Sequence, residues 1–133
     1  MYKIDFKKFL PGIAWFFVVL ILMCLPGEDI PPSDWLNIDF LDKWLHAGVF
    51  GLLVFLFCWP FYKSAFGKDE RKHYFIKIAL ATSIWGLAIE FIQKFFIPGR
   101  SFDLFDWAAD SVGALLGFFI CFYLFIKKEK TFG

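Results

Sequence analysis

The sequence predicts an all-α integral membrane protein, four transmembrane helices forming one bundle and a single domain over residues 1–133. Three observations lead there. First, 59% of the 133 residues are hydrophobic and 23% aromatic, with 21 Phe and 6 Trp, more than the core of a small soluble domain can hide. The mean hydropathy is +0.62. Second, the apolar residues fall into four runs, each compatible with the roughly 20 residues that cross a hydrocarbon core. Third, Lys and Arg cluster in alternate connections between those runs.

The first span covers residues 9–26, FLPGIAWFFVVLILMCLP. Lys3, Lys7 and Lys8 precede it, as in a secretory signal peptide. No small-x-small cleavage site follows, however, and Met23-Cys24 is unlike a lipoprotein cleavage box, so a retained helix is expected. Pro11 stands near its start, where proline is tolerated. Residues 27–42, GEDIPPSDWLNIDFLD, combine turn formers with Trp35 and are expected to lie along the outer interface. The second span, 44–62, reads WLHAGVFGLLVFLFCWPFY. The charged segment KSAFGKDERKH that follows is expected to be a solvated loop with no role beyond topology and solubility. The third span, 74–97, is separated by the Pro-Gly turn PGRSFD from the fourth, 104–126. Internal repeats are absent from the sequence.

Basic residues set the direction. Eleven of the 14 Lys and Arg lie in the N-terminal segment, the 63–77 connection and the tail; only Lys43, Lys94 and Arg100 lie on the other side. The positive-inside rule then makes both termini cytoplasmic. The outer side is acidic, with Glu28, Asp29, Asp34, Asp39, Asp42, Asp103 and Asp106. No long basic block or zinc-type Cys/His spacing is present, which argues against nucleic-acid binding. Cys24, Cys58 and Cys121 stand far apart inside apolar runs and read as small membrane-embedded hydrophobes rather than as a disulfide framework.

Polar residues converge on the outer edge. On span two, Asp42 and His46 share a helical face at i,i+4, with Lys43 three residues before His46. On span three, Glu90 and Gln93 share a face that Gly86 extends inward. On span four, Asp103, Asp106 and Asp110 form one stripe that continues into Gly113 and Gly117, a small-xxx-small pattern for close helix approach. At 1.5 Å per residue, Glu90 lies about 10 Å inside Ile97 and Asp110 about 10 Å below Asp103, so the two carboxyls are expected at one level. Simpler roles account for some of these residues. Asp39 and Asp103 suit N-caps, Asp42 and Asp106 complement a helix dipole, and Lys94 suits snorkelling. Glu90 and Asp110 are not explained that way, because an intramembrane carboxylate costs several kcal/mol unless paired, protonated or wetted.

DKWLHAGVFGLL resembles the D-K-x-x-H motif of the VanZ-like membrane proteins. EFIQKFFIPGRSFDLFDWAADSVGALLG resembles their E-x-x-Q…P-x-R-x-x-D-x-x-D-x-x-x-[ND]-x-x-G-x-x-x-G signature. The two motifs stand in the family's order, and with the four spans the resemblance covers essentially the whole chain. It implies a bacterial plasma-membrane protein with shared polar residues at Asp42, Lys43, His46, Glu90, Gln93, Arg100, Asp103, Asp106 and Asp110. It also implies a link to resistance against the glycopeptide teicoplanin. Many members carry Asn where this chain has Asp110, so this chain adds a potential negative charge.

The residues themselves suggest an outward-facing polar pocket that binds or modifies an envelope lipid or cell-wall-active molecule. Arg100 and Lys43 suit a phosphate or carboxylate, with Gln93, Asp103 and Asp106 as further binding residues. His46, oriented by Asp42, suits a general acid or base, with Glu90 or Asp110 as partner; these four are the candidate catalytic residues. Binding without turnover is equally compatible, since no nucleophile elbow, nucleotide loop or HExxH motif is present and no cofactor is implied. Two alternatives compete. Asp42, His46, Glu90 and Asp110 could hold a divalent metal, although Arg100 would oppose it and no known ligand spacing is matched. The intramembrane carboxylates could also relay protons or ions, but Thr82 and Ser83 are almost the only polar residues of the inner half.

Overall fold

The structure, a computed structural model, describes residues 4–24, 39–62, 66–98, 102 and 104–127; the side chains of 39–42 and 127 fall outside that set. The described residues form four α-helices, α1 (Leu10–Met23), α2 (Asp39–Cys58), α3 (Lys68–Phe96) and α4 (Leu104–Phe122), and no strand. With their adjoining turns, all four are long and apolar enough to cross a membrane: Phe6–Met23, Lys43–Phe61, Lys68–Phe96 and Leu104–Ile126. Asp5 caps the 3-10 turn Phe6–Phe9 by accepting from the Lys7 amide at 3.0 Å, and Pro11 follows in the first turn of α1.

Two boundaries depart from expectation. α2 begins at Asp39 rather than Trp44, so Asp39, expected to precede the helix as its N-cap, lies in its first turn. α3 begins at Lys68 rather than Tyr74, so half of the expected loop is helical. Asp69 and Glu70 in the first turn complement the helix dipole, and the Lys-Asp-Glu-Arg-Lys run is made largely of good helix formers. Hydropathy marks where a chain leaves lipid, not where its helix ends. The same segment corrects a second expectation. Arg71 is 7% exposed. Its Nε donates to the Phe66 carbonyl and its Nη1 to the Phe125 carbonyl, each at 2.9 Å. Phe125 belongs to the π-helical turn Tyr123–Lys127 that closes α4, where carbonyls run out of intrahelical donors. A residue expected to serve topology alone ties two helix ends together.

Side-chain contacts set the topology. Phe9 packs on Phe61, and the Trp15 indole donates to the Val49 carbonyl at 3.0 Å, so α1 and α2 are antiparallel. α3 and α4 are antiparallel too, with Gly86 facing Asp110 and Phe75 meeting Phe125. α2 and α4 are parallel: Lys43 meets Asp106, His46 meets Asp110, Ala47 meets Gly113 and Gly51 meets Gly117. Successive helices therefore alternate in direction, as successive membrane crossings require. Ile4 and Phe9 pack in one apolar cluster with Phe61, Phe75, Phe125 and Ile126, which places both described ends of the chain at one end of the bundle.

The α2–α4 seam is the centre of the packing. The space for a Cβ on Gly113 is already filled by the Ala47 carbonyl, and a Cβ on Gly117 would lie 2.8 Å from the Gly51 carbonyl. The two backbones thus touch, which only small residues permit. Further along the seam, Cys58 and Cys121 are free, fully buried and part of one apolar cluster. Far apart in sequence, they meet as the small hydrophobes that the seam needs. α1 is peripheral, with only Gly12 and Val19 buried. Side chains such as Ile21, Ile84, Leu116 and Ile120 point outward, as a lipid-facing surface requires.

Candidate functional site

Because α2 and α4 run parallel in register, polar residues of their first turns meet as pairs. The Lys43 ammonium forms an ion pair with Asp106. His46 Nε2 lies 3.8 Å from Asp106 Oδ2, and its Nδ1 lies 2.8 Å from Asp110 Oδ1. The result is a chain of four side chains across the helix interface. Exposure falls along it, from 30% at Lys43 and 14% at Asp106 to 7% at His46 and 1% at Asp110. The chain leads from the surface into the bundle. The 2.8 Å contact of Nδ1 with Asp110 is a hydrogen bond, whereas Asp106 at 3.8 Å stands at ion-pair distance from a protonated ring. Asp110 thus has the partner that a buried carboxylate requires.

α3 supplies the wall. A Cβ on Gly86 would lie 2.9 Å from Asp110 Oδ2 and 3.1 Å from Asp110 Cβ, so the absence of a side chain at Gly86 makes the seat for Asp110. Asp110 therefore packs one turn further in than Glu90, about 6 Å by helical rise, rather than level with it. The reason is antiparallel register, which depth counted from each helix end does not capture. Glu90 is fully buried on the same face of α3, one turn outward. Gln93 is 2% exposed, and its amide donates to the Met23 carbonyl at 2.6 Å. Expected as a binding residue, it satisfies the end of α1 and holds that helix to α3.

The remaining expected residues divide simply. Arg100 and Asp103 lie outside the described residues. Asp42 stands in the first turn of α2 with its side chain outside the described set, and the partners seen for His46 are Asp110 and Asp106. Lys94 lies with its ammonium 5.2 Å from the Phe95 ring centre, as a snorkelling lysine does. Among the described residues, no group of three or more His, Cys, Asp or Glu side chains is placed to hold a metal ion.

Sequence reading missed three supports of the site. Trp107 Nε1 donates to the Ser83 carbonyl at 2.9 Å, and the Ser83 and Ser111 hydroxyls share a hydrogen bond of 2.7 Å. Together they join α3 to α4 beside Asp110. Two isolated serines in apolar runs were the available signal, since membrane helices use such hydroxyls across their interfaces. Below this level, the Thr82 hydroxyl donates to the Ile78 carbonyl of its own helix at 2.8 Å.

The model of the family described as VanZ/LLP1 matches residues 6–126, nearly the whole chain. The chain belongs to the VanZ/LLP1 family. The two motifs that carry the resemblance, one on α2 and one running from α3 into α4, are the segments whose side chains meet at His46 and Asp110. This VanZ/LLP1 chain is also similar to an uncharacterised protein of Schizosaccharomyces pombe, 35% identical over 104 residues. The aligned part covers 78% of the chain and 58% of that relative, so the chain spans little more than half of the relative's length. No solved structure matches the chain.

Proposed function

We propose that this VanZ/LLP1 protein is a multi-pass protein of the bacterial plasma membrane with both termini cytoplasmic. Its polar site opens to the outer leaflet and binds or modifies an envelope lipid or cell-wall-active molecule, with a link to teicoplanin resistance. One observation carries this reading: the polar chain Lys43–Asp106–His46–Asp110 runs from partly exposed to fully buried and stops at the glycine seam. A polar path that ends inside suits a cavity with one mouth better than a conduit. Thr82 bonds within its own helix, and the two thiols that follow on the seam lie in an apolar cluster, which gives a relay across the membrane no support from the described residues.

In the proposed site His46 takes or gives a proton at whichever ring nitrogen faces the ligand, while Asp110 fixes the ring. Lys43 meets an anionic group at the mouth, and Arg100, carried over by family resemblance, offers a bidentate fork for phosphate or carboxylate. Turnover and binding call on the same side chains. The test is expression in a teicoplanin-susceptible bacterium. His46→Ala and Glu90→Gln are expected to reach normal protein levels and to abolish protection. Full protection by both variants refutes the assignment of the site.

A further inference from the structure

On the lipid-facing side of the seam, α2 and α4 leave a groove of about 390 Å³. Its floor is Gly48 and Gly51, its walls are Leu52 and Leu116, and it runs from Trp44 towards Ile120. At Trp44 it meets a second cavity of about 240 Å³ that Lys43 helps to line. The groove thus begins beside the charged mouth of the polar site and descends along an apolar track. Its α2 side runs from Trp44 to Phe55, eleven steps along the helix, or about 16 Å at 1.5 Å per residue. One leaflet is half of a hydrocarbon core of about 30 Å, or about 15 Å. Groove and leaflet match in depth.

We infer that the groove seats one acyl chain of a phospholipid, with the lipid's phosphate at Lys43 beside Asp106 and His46. This rests on the reading of the site as an outer-leaflet lipid site and names its substrate class. Two features favour a phospholipid over a second protein helix. The groove is one leaflet deep rather than a full span, and among the described residues that line it and its adjoining cavity a cation stands only at the Trp44 end, where a phosphate would lie. Gly48 keeps the track open: a Cβ there would meet nothing within 4 Å. A Cβ at Gly48 is therefore accommodated without displacing a neighbour, and a larger side chain there projects into the groove.

The full chain, reconstituted in phosphatidylglycerol vesicles and extracted for native mass spectrometry, provides the test. One phospholipid per chain is expected on the wild type and on Gly48→Ala. Gly48→Phe is expected to lower that occupancy at least about tenfold, with Leu116→Trp as a second filling variant from the opposite wall. Lys43→Gln is expected to weaken retention of phosphatidylglycerol without affecting a neutral diacylglycerol probe. Retention of phospholipid by both filling variants overturns the inference. So does a change from dimer to monomer in Gly48→Phe with lipid retention unchanged, because the groove is then a seat for a second copy. The two levels fail separately: protection by His46→Ala in the teicoplanin assay judges the polar site, and lipid retention by the filling variants judges the groove.

Discussion

Gly86→Ala is the sharpest test of how the site is built, because local and tertiary physics predict opposite signs. Alanine in place of glycine within a helix gains about 1 kcal/mol from propensity. At Gly86 the new methyl would stand 2.9 Å from Asp110 Oδ2 and 3.1 Å from Asp110 Cβ. The carboxylate tip can rotate away, but the Cβ moves only if α4 moves. Forcing a methyl into a packed interface costs about 1–3 kcal/mol. Displacing Oδ1 from His46 Nδ1, now 2.8 Å away, forfeits a buried charge-assisted hydrogen bond of about 1.5–3 kcal/mol. After the propensity gain is subtracted, the net is a destabilisation of about 1.5–5 kcal/mol. Gly48→Ala is the matched control, since its Cβ meets nothing within 4 Å, and is expected to be neutral or up to about 1 kcal/mol more stable. Equilibrium unfolding of both variants in one mixed-micelle system measures the difference. The double variant Gly86→Ala/Asp110→Ala should be less harmed than the sum of the single changes, since the two positions share one contact. Equal stability of Gly86→Ala and Gly48→Ala would refute the packing of Asp110 on α3.

Other perturbations follow from the same contacts. Gly113→Ala collides with the Ala47 carbonyl, which cannot move without separating α2 from α4, so its destabilisation should exceed that of Gly86→Ala in the same unfolding assay. Arg71→Ala removes two charge-assisted hydrogen bonds at 2.9 Å; a loss of about 2–3 kcal/mol is expected, with faster amide exchange at the π-helical end of α4 as the local signature. Lys43→Gln breaks an ion pair whose lysine is 30% exposed, so stability should change by no more than about 1 kcal/mol while His46→Ala costs more. Cys58 and Cys121, both fully buried, should resist a water-soluble maleimide in native protein and react after unfolding in detergent.

Much of the fold was legible because the bilayer simplifies the problem. A helix that crosses lipid must satisfy its own backbone, so apolar length alone locates α1 and α4 to within a few residues, while α2 begins five residues before its apolar run. The start of α3 was not legible, since a charged, helix-favouring run outside lipid has no hydropathy signal. Of the site, the sequence marked His46, Lys43, Asp106 and Asp110 through their i,i+3 and i,i+4 spacing. It could not say who pairs with whom. His46 was expected to be oriented by Asp42 on its own helix; its contacts with Asp110 and Asp106 come across the interface from α4, and the Asp42 side chain lies outside the described residues. Gln93 looked like a ligand-binding group for the same reason, and its amide is engaged by the carbonyl of Met23, 70 residues away in sequence.

The sequence by itself determined the all-helical class, the four helices long and apolar enough to cross a membrane, the family and the helix ends at which polar residues gather. Those properties depend on composition and on spacing along one helix, which are local. Tertiary structure decided the rest: the parallel register of α2 and α4, the seat for Asp110 at Gly86, the meeting of Cys58 with Cys121 and the anchoring by Arg71. Register between helices depends on which side chains leave room for a neighbouring backbone. In this bundle that room is set by glycines whose neighbours lie 24 to 66 residues away in the chain, beyond the reach of any periodicity.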